Sequence, residues 1–285
     1  MSATTRVPLL GVVVVAVILV AGIGTATPAA ANQALLIGMG DSYSTGAGIP
    51  PTEIGAGGCE RSARAYSMVT AELLGFDGQN VACGRAVLAD ITSTSSSGSP
   101  LQTTGIAAAD FVAFTMGGND VGGPRGILEA ARTEASRAKF AADVDALLPR
   151  LVTAYTEVAR AAPSAEIFVL GYPDIMPQTQ QALDACLGAR VAGLAAANIH
   201  HNIELLNSAI ADAAAAAGSV FVDTTWTFAG HEMCTEEPFA NAPDDPAPAY
   251  PGTQMHPNEL GHLAMAADLM IAIVLAALGD LSPQD

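Results

Sequence analysis

Four short stretches of this chain carry the parts of an acyl-transfer reaction. Ser42 lies in Gly40-Asp41-Ser42-Tyr43-Ser44, just after the apolar run Ala34 to Met39. Asn119 lies in Gly117-Gly118-Asn119-Asp120, just after a second apolar run, Phe111 to Met116. His256 opens His256-Pro257-Asn258 near the C-terminus, and Ala82-Cys83-Gly84-Arg85-Ala86 offers main-chain N–H groups. A serine hydroxyl is a weak nucleophile until a base takes its proton, and the tetrahedral oxyanion needs donors aimed at it. Ser42 supplies the nucleophile and a main-chain donor. Asn119 supplies a neutral amide donor, and His256 supplies a base that is neutral near pH 7. Singly, each stretch reads as a turn, since Gly, Asn, Asp and Ser are the usual turn formers. Their order, and the placement of two of them at strand ends, make the set specific. Position 44 is serine, so the Gly-x-Ser-x-Gly elbow of α/β-hydrolases is absent.

These residues have to be positioned by the elements around them. Strand-like runs at 34–39, 111–116, 166–170 and 220–222 alternate with helical patterns over 63–75, 126–162, 189–217 and 258–278. The 126–162 stretch is long enough for two helices. Alternation of this kind implies a parallel sheet covered on both faces. Ligands of such sheets bind beyond the carboxyl ends of the strands, where Ser42 and Asn119 both fall. Two irregular stretches, 92–105 and 228–253, are long enough for binding loops, and the second leads directly to His256. The end of the last helix, Leu269 to Gly279, is very apolar but too short to span a bilayer, so it is expected to face the core.

Arg6, the apolar run Val7 to Gly24 and Ala29-Ala30-Ala31 form a signal peptide pattern, with cleavage after Ala31. The alternative is an uncleaved anchor; either way the remaining chain is exported. Residues 32–285 suit one α/β domain, and a monomer is expected. The net charge is −17, and loss of Arg6 makes it −18. Such a surface disfavours nucleic acid and anionic membranes as partners, leaving membrane contact to the signal segment in transit. Four cysteines, Cys59, Cys83, Cys186 and Cys234, fit two disulfides in an oxidising compartment, with three pairings open. A zinc site using Cys234 with His231 or the His200–His201 pair is the rival reading, but no CxxC pair or HExxH helix is present; the acyl-transfer set implies no metal or organic cofactor.

The blocks around Ser42, Asn119 and His256 resemble those of the SGNH (GDSL) hydrolases, from about Ala34 to about Ala277. Cys59-Glu60-Arg61-Ser62 with Ala65-Tyr66, and Phe228-Ala229-Gly230-His231-Glu232-Met233-Cys234, resemble the secreted actinobacterial branch of esterases and lipases. The resemblance implies a three-layer α/β/α fold with a parallel, flavodoxin-like sheet. It also implies ester hydrolysis through an acyl-enzyme on Ser42, and disulfides Cys59–Cys83 and Cys186–Cys234. The glycine block departs from the family pattern. Alignment on Cys83 and Ala86 puts Arg85 where glycine is usual, so the third oxyanion N–H falls to Arg85 or Gly84. Asp is also absent three residues before the histidine, where Thr253 stands. The Thr253 carbonyl is then expected to orient His256, with Asp244 and Asp245 as the alternatives. Deacetylation of polysaccharide or cleavage of phospholipid or cell-envelope lipid would use the same site. An inactive wall-binding protein with a relict site is the non-enzymatic alternative.

Overall fold

The computed structural model describes residues 33–93, 101–243 and 254–279. Residues 1–32, 94–100, 244–253 and 280–285 lie outside them. The first strand, β1 (Leu35–Gly40), runs into a single turn of helix, α1 (Ser42–Thr45). A small antiparallel hairpin, β2 (Thr52–Ile54) and β3 (Glu60–Ser62), precedes α2 (Tyr66–Leu74) and β4 (Asp77–Asn80). Then come α3 (Ala89–Thr92), β5 (Phe111–Thr115), α4 (Gly123–Ala130), α5 (Glu134–Ala161) and β6 (Glu166–Leu170). The chain continues through α6 (Gln180–Leu187), α7 (Ala196–Ala216), β7 (Val220–Val222) and α8 (Glu259–Ala277).

The main sheet has the order β4-β1-β5-β6-β7, and every pairing in it is parallel. Counted along the chain these strands stand 2-1-3-4-5, the flavodoxin-like order, with its switch point between β1 and β5. The interiors of β1, β5 and β6 are buried apolar runs, as strands covered on both faces should be. Helices α2 and α8 pack together on one face, and α5 and α7 on the other. Phe114 packs edge-on against Tyr155 of α5 on the second side, and Phe168 lies against Phe111 on the first.

Several boundaries differ from the sequence expectation for local reasons. The 126–162 stretch holds the two helices expected of it, with Thr133 marking the break between them. Its hydroxyl accepts from Ser136 N while Ser136 Oγ accepts from Thr133 N, a reciprocal cap that starts α5. The 189–217 helix begins only at Ala196, and a separate helix, α6, stands before it, capped by Thr179. The edge strand β4 reads Asp-Gly-Gln-Asn and carries no apolar signal; pairing with β1 alone defines it. Helix α8 is not simply core-facing. Leu269, Ala272 and Ile273 are buried, whereas Ile271, Val274 and Leu278 are exposed.

Disulfides join Cys59 to Cys83 and Cys186 to Cys234. The first ties the β2–β3 hairpin to the glycine block. The second ties α6 to the segment that leads towards His256. Close packing under β1 is tested at Gly38, where an added Cβ would lie 2.1 Å from Ser67 Oγ on α2. Gly38→Ala is expected to cost about 1–3 kcal/mol of stability through overpacking, read as a lower urea midpoint at an unchanged slope.

Candidate active site

The Ser42 loop starts at a residue that only glycine suits. Gly40 has φ +117, and a Cβ there would lie 2.4 Å from Thr115 O. The buried Gln102 side chain grips both main-chain groups of Gly40, accepting from its N–H at 2.6 Å and donating to its carbonyl at 2.8 Å. Asp41 then caps α1, its carboxylate accepting from Tyr43 N at 2.9 Å. Ser42 is therefore the first residue of a helical turn, beyond the carboxyl end of β1. Ser44 locks that turn to β5 by accepting from Thr115 N at 2.9 Å.

His256 meets this serine directly. Its Nε2 is 2.8 Å from Ser42 Oγ, and its Nδ1 is 2.9 Å from Gln254 O. A carbonyl only accepts, so Nδ1 must carry the proton, and Nε2 is left to accept from the serine hydroxyl. The orienting carbonyl seen here is one residue beyond the expected Thr253, which lies outside the described residues, as do Asp244 and Asp245. Met255 between them has a left-handed φ of +59, which turns the Gln254 carbonyl back towards the ring. Tyr43 supports the same loop: its hydroxyl donates to Met255 O at 2.8 Å, and its ring lies 5.1 Å from that of His256.

Asn119 stands in the short turn after β5, with Gly117 at φ +121. One of its amide hydrogens goes to Ala86 O at 2.9 Å, which joins it to the glycine block. That block is held from the other side by Cys83 N donating to Gly40 O at 3.0 Å. The turn Cys83–Ala86 closes with Ala86 N on Cys83 O at 3.2 Å. Within it, Arg85 and not Gly84 takes the left-handed conformation, φ +65. The position where glycine is usual thus has the dihedral that favours glycine, although arginine fills it. Arg85 is exposed, and its side chain makes no hydrogen bond or ion pair among the described residues. The N–H groups of Ser42, Gly84 and Arg85 have no acceptor among those residues either.

Sequence reasoning missed the residue that joins these loops. Tyr172 follows β6, and its hydroxyl donates to Asp41 Oδ2 at 2.5 Å while accepting from Gly118 N at 2.8 Å. It thereby links the neighbour of Ser42 to the neighbour of Asn119. Its ring also packs edge-on against Tyr43, 5.1 Å between centroids. Beside Asp41, Ser42 and Asn119 a cavity opens between α4 and α7, walled by Ile127, Met176, Ile203 and Leu206. Two other histidines have partners of their own. His200 pairs with buried Asp174 at 2.5 Å, and His262 is buried with Nδ1 accepting from Tyr66 N at 3.1 Å. Burial pushes His262 down to about 3, so it stays neutral and is not a second base.

With this geometry the comparison with known proteins is direct. The chain matches the GDSL-like lipase/acylhydrolase family over residues 39–264, and it belongs to that family. It is a carboxylic ester hydrolase with the SGNH fold. Lipase 2 of Streptomyces coelicolor is 31% identical over 265 residues, which cover 86% of this chain and 88% of that protein. The crystal structure of an extracellular lipase from Streptomyces rimosus superposes with a TM-score of 0.66 at 25% identity, covering 84% of this chain and 99% of that one. Phospholipase A1 from Streptomyces albidoflavus NA297 matches at the same TM-score, 0.66, with 27% identity over 85% of this chain and 99% of that one.

Asp41 makes a pH test of this packing. Burial pushes its carboxyl up to about 7, against the lowering effect of the hydrogen bonds from Tyr172 and Tyr43. A folded-state value above the unfolded one means that the native state holds the proton more tightly. The stability this group contributes is complete below about pH 4 and is lost as pH rises towards 7. Unfolding free energy measured across that range should fall less steeply in Asp41→Asn than in the parent. An identical slope would place the titration elsewhere.

Proposed function

We propose that the protein is an exported esterase or lipase that works through an acyl-enzyme on Ser42, with His256 as general base. The observation that carries this reading is the 2.8 Å contact between Ser42 Oγ and the only unprotonated ring nitrogen of His256. Ser42 Oγ attacks the ester carbonyl carbon while its proton passes to Nε2. The oxyanion is met by the Ser42 N–H, the second amide hydrogen of Asn119 and the N–H of Arg85 or Gly84. Collapse breaks the ester bond, and the leaving alcohol takes the proton from Nε2. Water then attacks the acyl-enzyme, giving its proton to His256, and the carboxylic acid leaves as Ser42 regains its hydrogen. A carbonyl at Gln254 fixes the tautomer of the ring, the orienting job a carboxylate does in a Ser-His-Asp triad.

The aliphatic wall of the cavity favours an acyl chain over the acetyl group of a polysaccharide. Phospholipid esters remain within that class, since a protein of similar structure is named a phospholipase A1. Export is supported by the leader pattern at 1–31, by two disulfides and by the extracellular lipase among the similar structures. A relict site is disfavoured by the intact serine–histidine contact.

Hydrolysis of p-nitrophenyl esters from acetyl to palmitoyl tests the reading. Ser42→Ala and His256→Ala should each lower kcat by about 10⁶, and the double variant should be little worse, because nucleophile and base act as one unit. Asn119→Ala should cost roughly 10²–10³ in kcat with little change in KM. Additive losses for the first pair, with folding intact by circular dichroism, would separate the two residues and overturn the mechanism.

A further inference from the structure

Helix α8 is apolar on the side that faces away from the protein as well as on the side that packs. Over its most apolar 18-residue window only 39% is buried. Met265, Ala266, Leu269 and Ile273 face inward, and Thr70 Oγ1 donates to Ala266 O across the seam with α2, so the helix is part of the domain. Leu260, Leu263, Ile271, Val274, Leu275 and Leu278 are exposed. They recur at helical spacing, with Ala264 and Ala267 filling the interval, and form one stripe about 27 Å long. After Glu259 the helix has one ionisable acid, Asp268, and the Thr227 hydroxyl holds it at 2.5 Å. That bond holds Thr227 against α8, and the preceding residue, Trp226, is 58% exposed. Exposed apolar patches of this extent mark interaction sites on soluble proteins.

We propose that this stripe docks the protein on a lipid surface of zero net charge, with α8 lying in the plane of the interface. The proposal deepens the lipase reading and rests on it for its purpose. Three features select this occupant over a second copy of the chain. The stripe starts in the first turn of α8, and its N-cap, Asn258, is two residues after His256. A surface laid along it therefore reaches the site at one end, which a self-association would not achieve. Two copies would also bring together bodies that each carry a net charge of −17, with no basic residue on the stripe to offset the repulsion. An uncharged lipid surface has no such penalty, whereas an anionic one does. Finally, Trp226 is exposed next to the residue bonded to α8, and tryptophan is the side chain suited to the boundary between acyl chains and headgroups. A helix with one apolar face seats that face some 5–10 Å into the boundary.

Trp226 is the only tryptophan in the chain, so its emission comes from one place, next to the residue bonded to α8. Full-length protein is titrated with phosphatidylcholine vesicles, alongside the double variant Leu263→Glu/Ile271→Glu. Both carry residues 1–31, so any binding by that segment is common to the two. The parent should show a blue shift and quenching by brominated lipid, both persisting in about 0.5 M NaCl, where surface electrostatics are screened. The double variant should lose both signals. It should also lose about tenfold or more of its activity on a vesicle-borne ester, while cleaving a soluble butyryl ester as the parent does. No shift in the parent, or full vesicle activity in the variant, would overturn the proposal. So would a dimer in sedimentation that the double variant converts to monomer, since the stripe would then cover a second copy. If neither protein cleaves any ester while the parent still binds vesicles, the functional reading falls and the docking surface stands.

Discussion

One hydroxyl, that of Tyr172, joins the two loops on which the candidate chemistry rests. It donates to Asp41 and accepts from the N–H of Gly118, so it spans the switch point between β1 and β5 where Ser42 and Asn119 emerge. Asp41 in turn caps the turn that carries Ser42, and Gly118 precedes Asn119. The third block is tied to the same cluster by Tyr43, which packs on Tyr172 and donates to the carbonyl of Met255, next to His256. Ser42, Asn119 and His256 are far apart in sequence, and two tyrosines hold their loops in register. The cost of this arrangement is a buried carboxylate at Asp41, whose displaced proton affinity is the physical trace of the constraint.

Much of the candidate site is legible in the sequence because its chemistry is local. Ser42 and Asn119 each follow an apolar strand, and a parallel sheet delivers the carboxyl ends of its strands to one rim. His256 stands in a context that the other four histidines lack. The supports were not legible for the same reason reversed. Gln102 and Tyr172 act on Gly40, Asp41 and Gly118 across large sequence separations, and no spacing rule announces a long-range hydrogen bond. Counting back three residues from His256 points to the carbonyl of Thr253. Thr253 lies outside the described residues, and among those described the left-handed Met255 presents the carbonyl of Gln254, two residues back.

The fold divides along the same line. Strands β1, β5 and β6 are apolar runs and read as such, whereas β4 is polar and is defined only by its partner. Helix α5 begins where Thr133 and Ser136 cap each other, a signal that an alanine-rich stretch conceals. Helix α8 is apolar on nearly every side. With no polar face to mark the outside, its pattern cannot tell a buried helix from one that leaves half its surface exposed. The left-handed Arg85 is a further departure, since arginine occupies a conformation that glycine adopts without penalty. That conformation keeps the 83–86 turn closed beneath Asn119, so the turn persists without the usual residue.

The central claim is that Ser42 becomes acylated because His256 takes its proton. An active-site-directed alkyl phosphonate, followed by peptide mass spectrometry, reads this directly. The account predicts one phosphonyl group per chain, carried by the peptide containing Ser42 and localised to that residue, and no adduct in His256→Ala under the same conditions. Label on neighbouring Ser44, or equal labelling of Ser42 with and without His256, would contradict it.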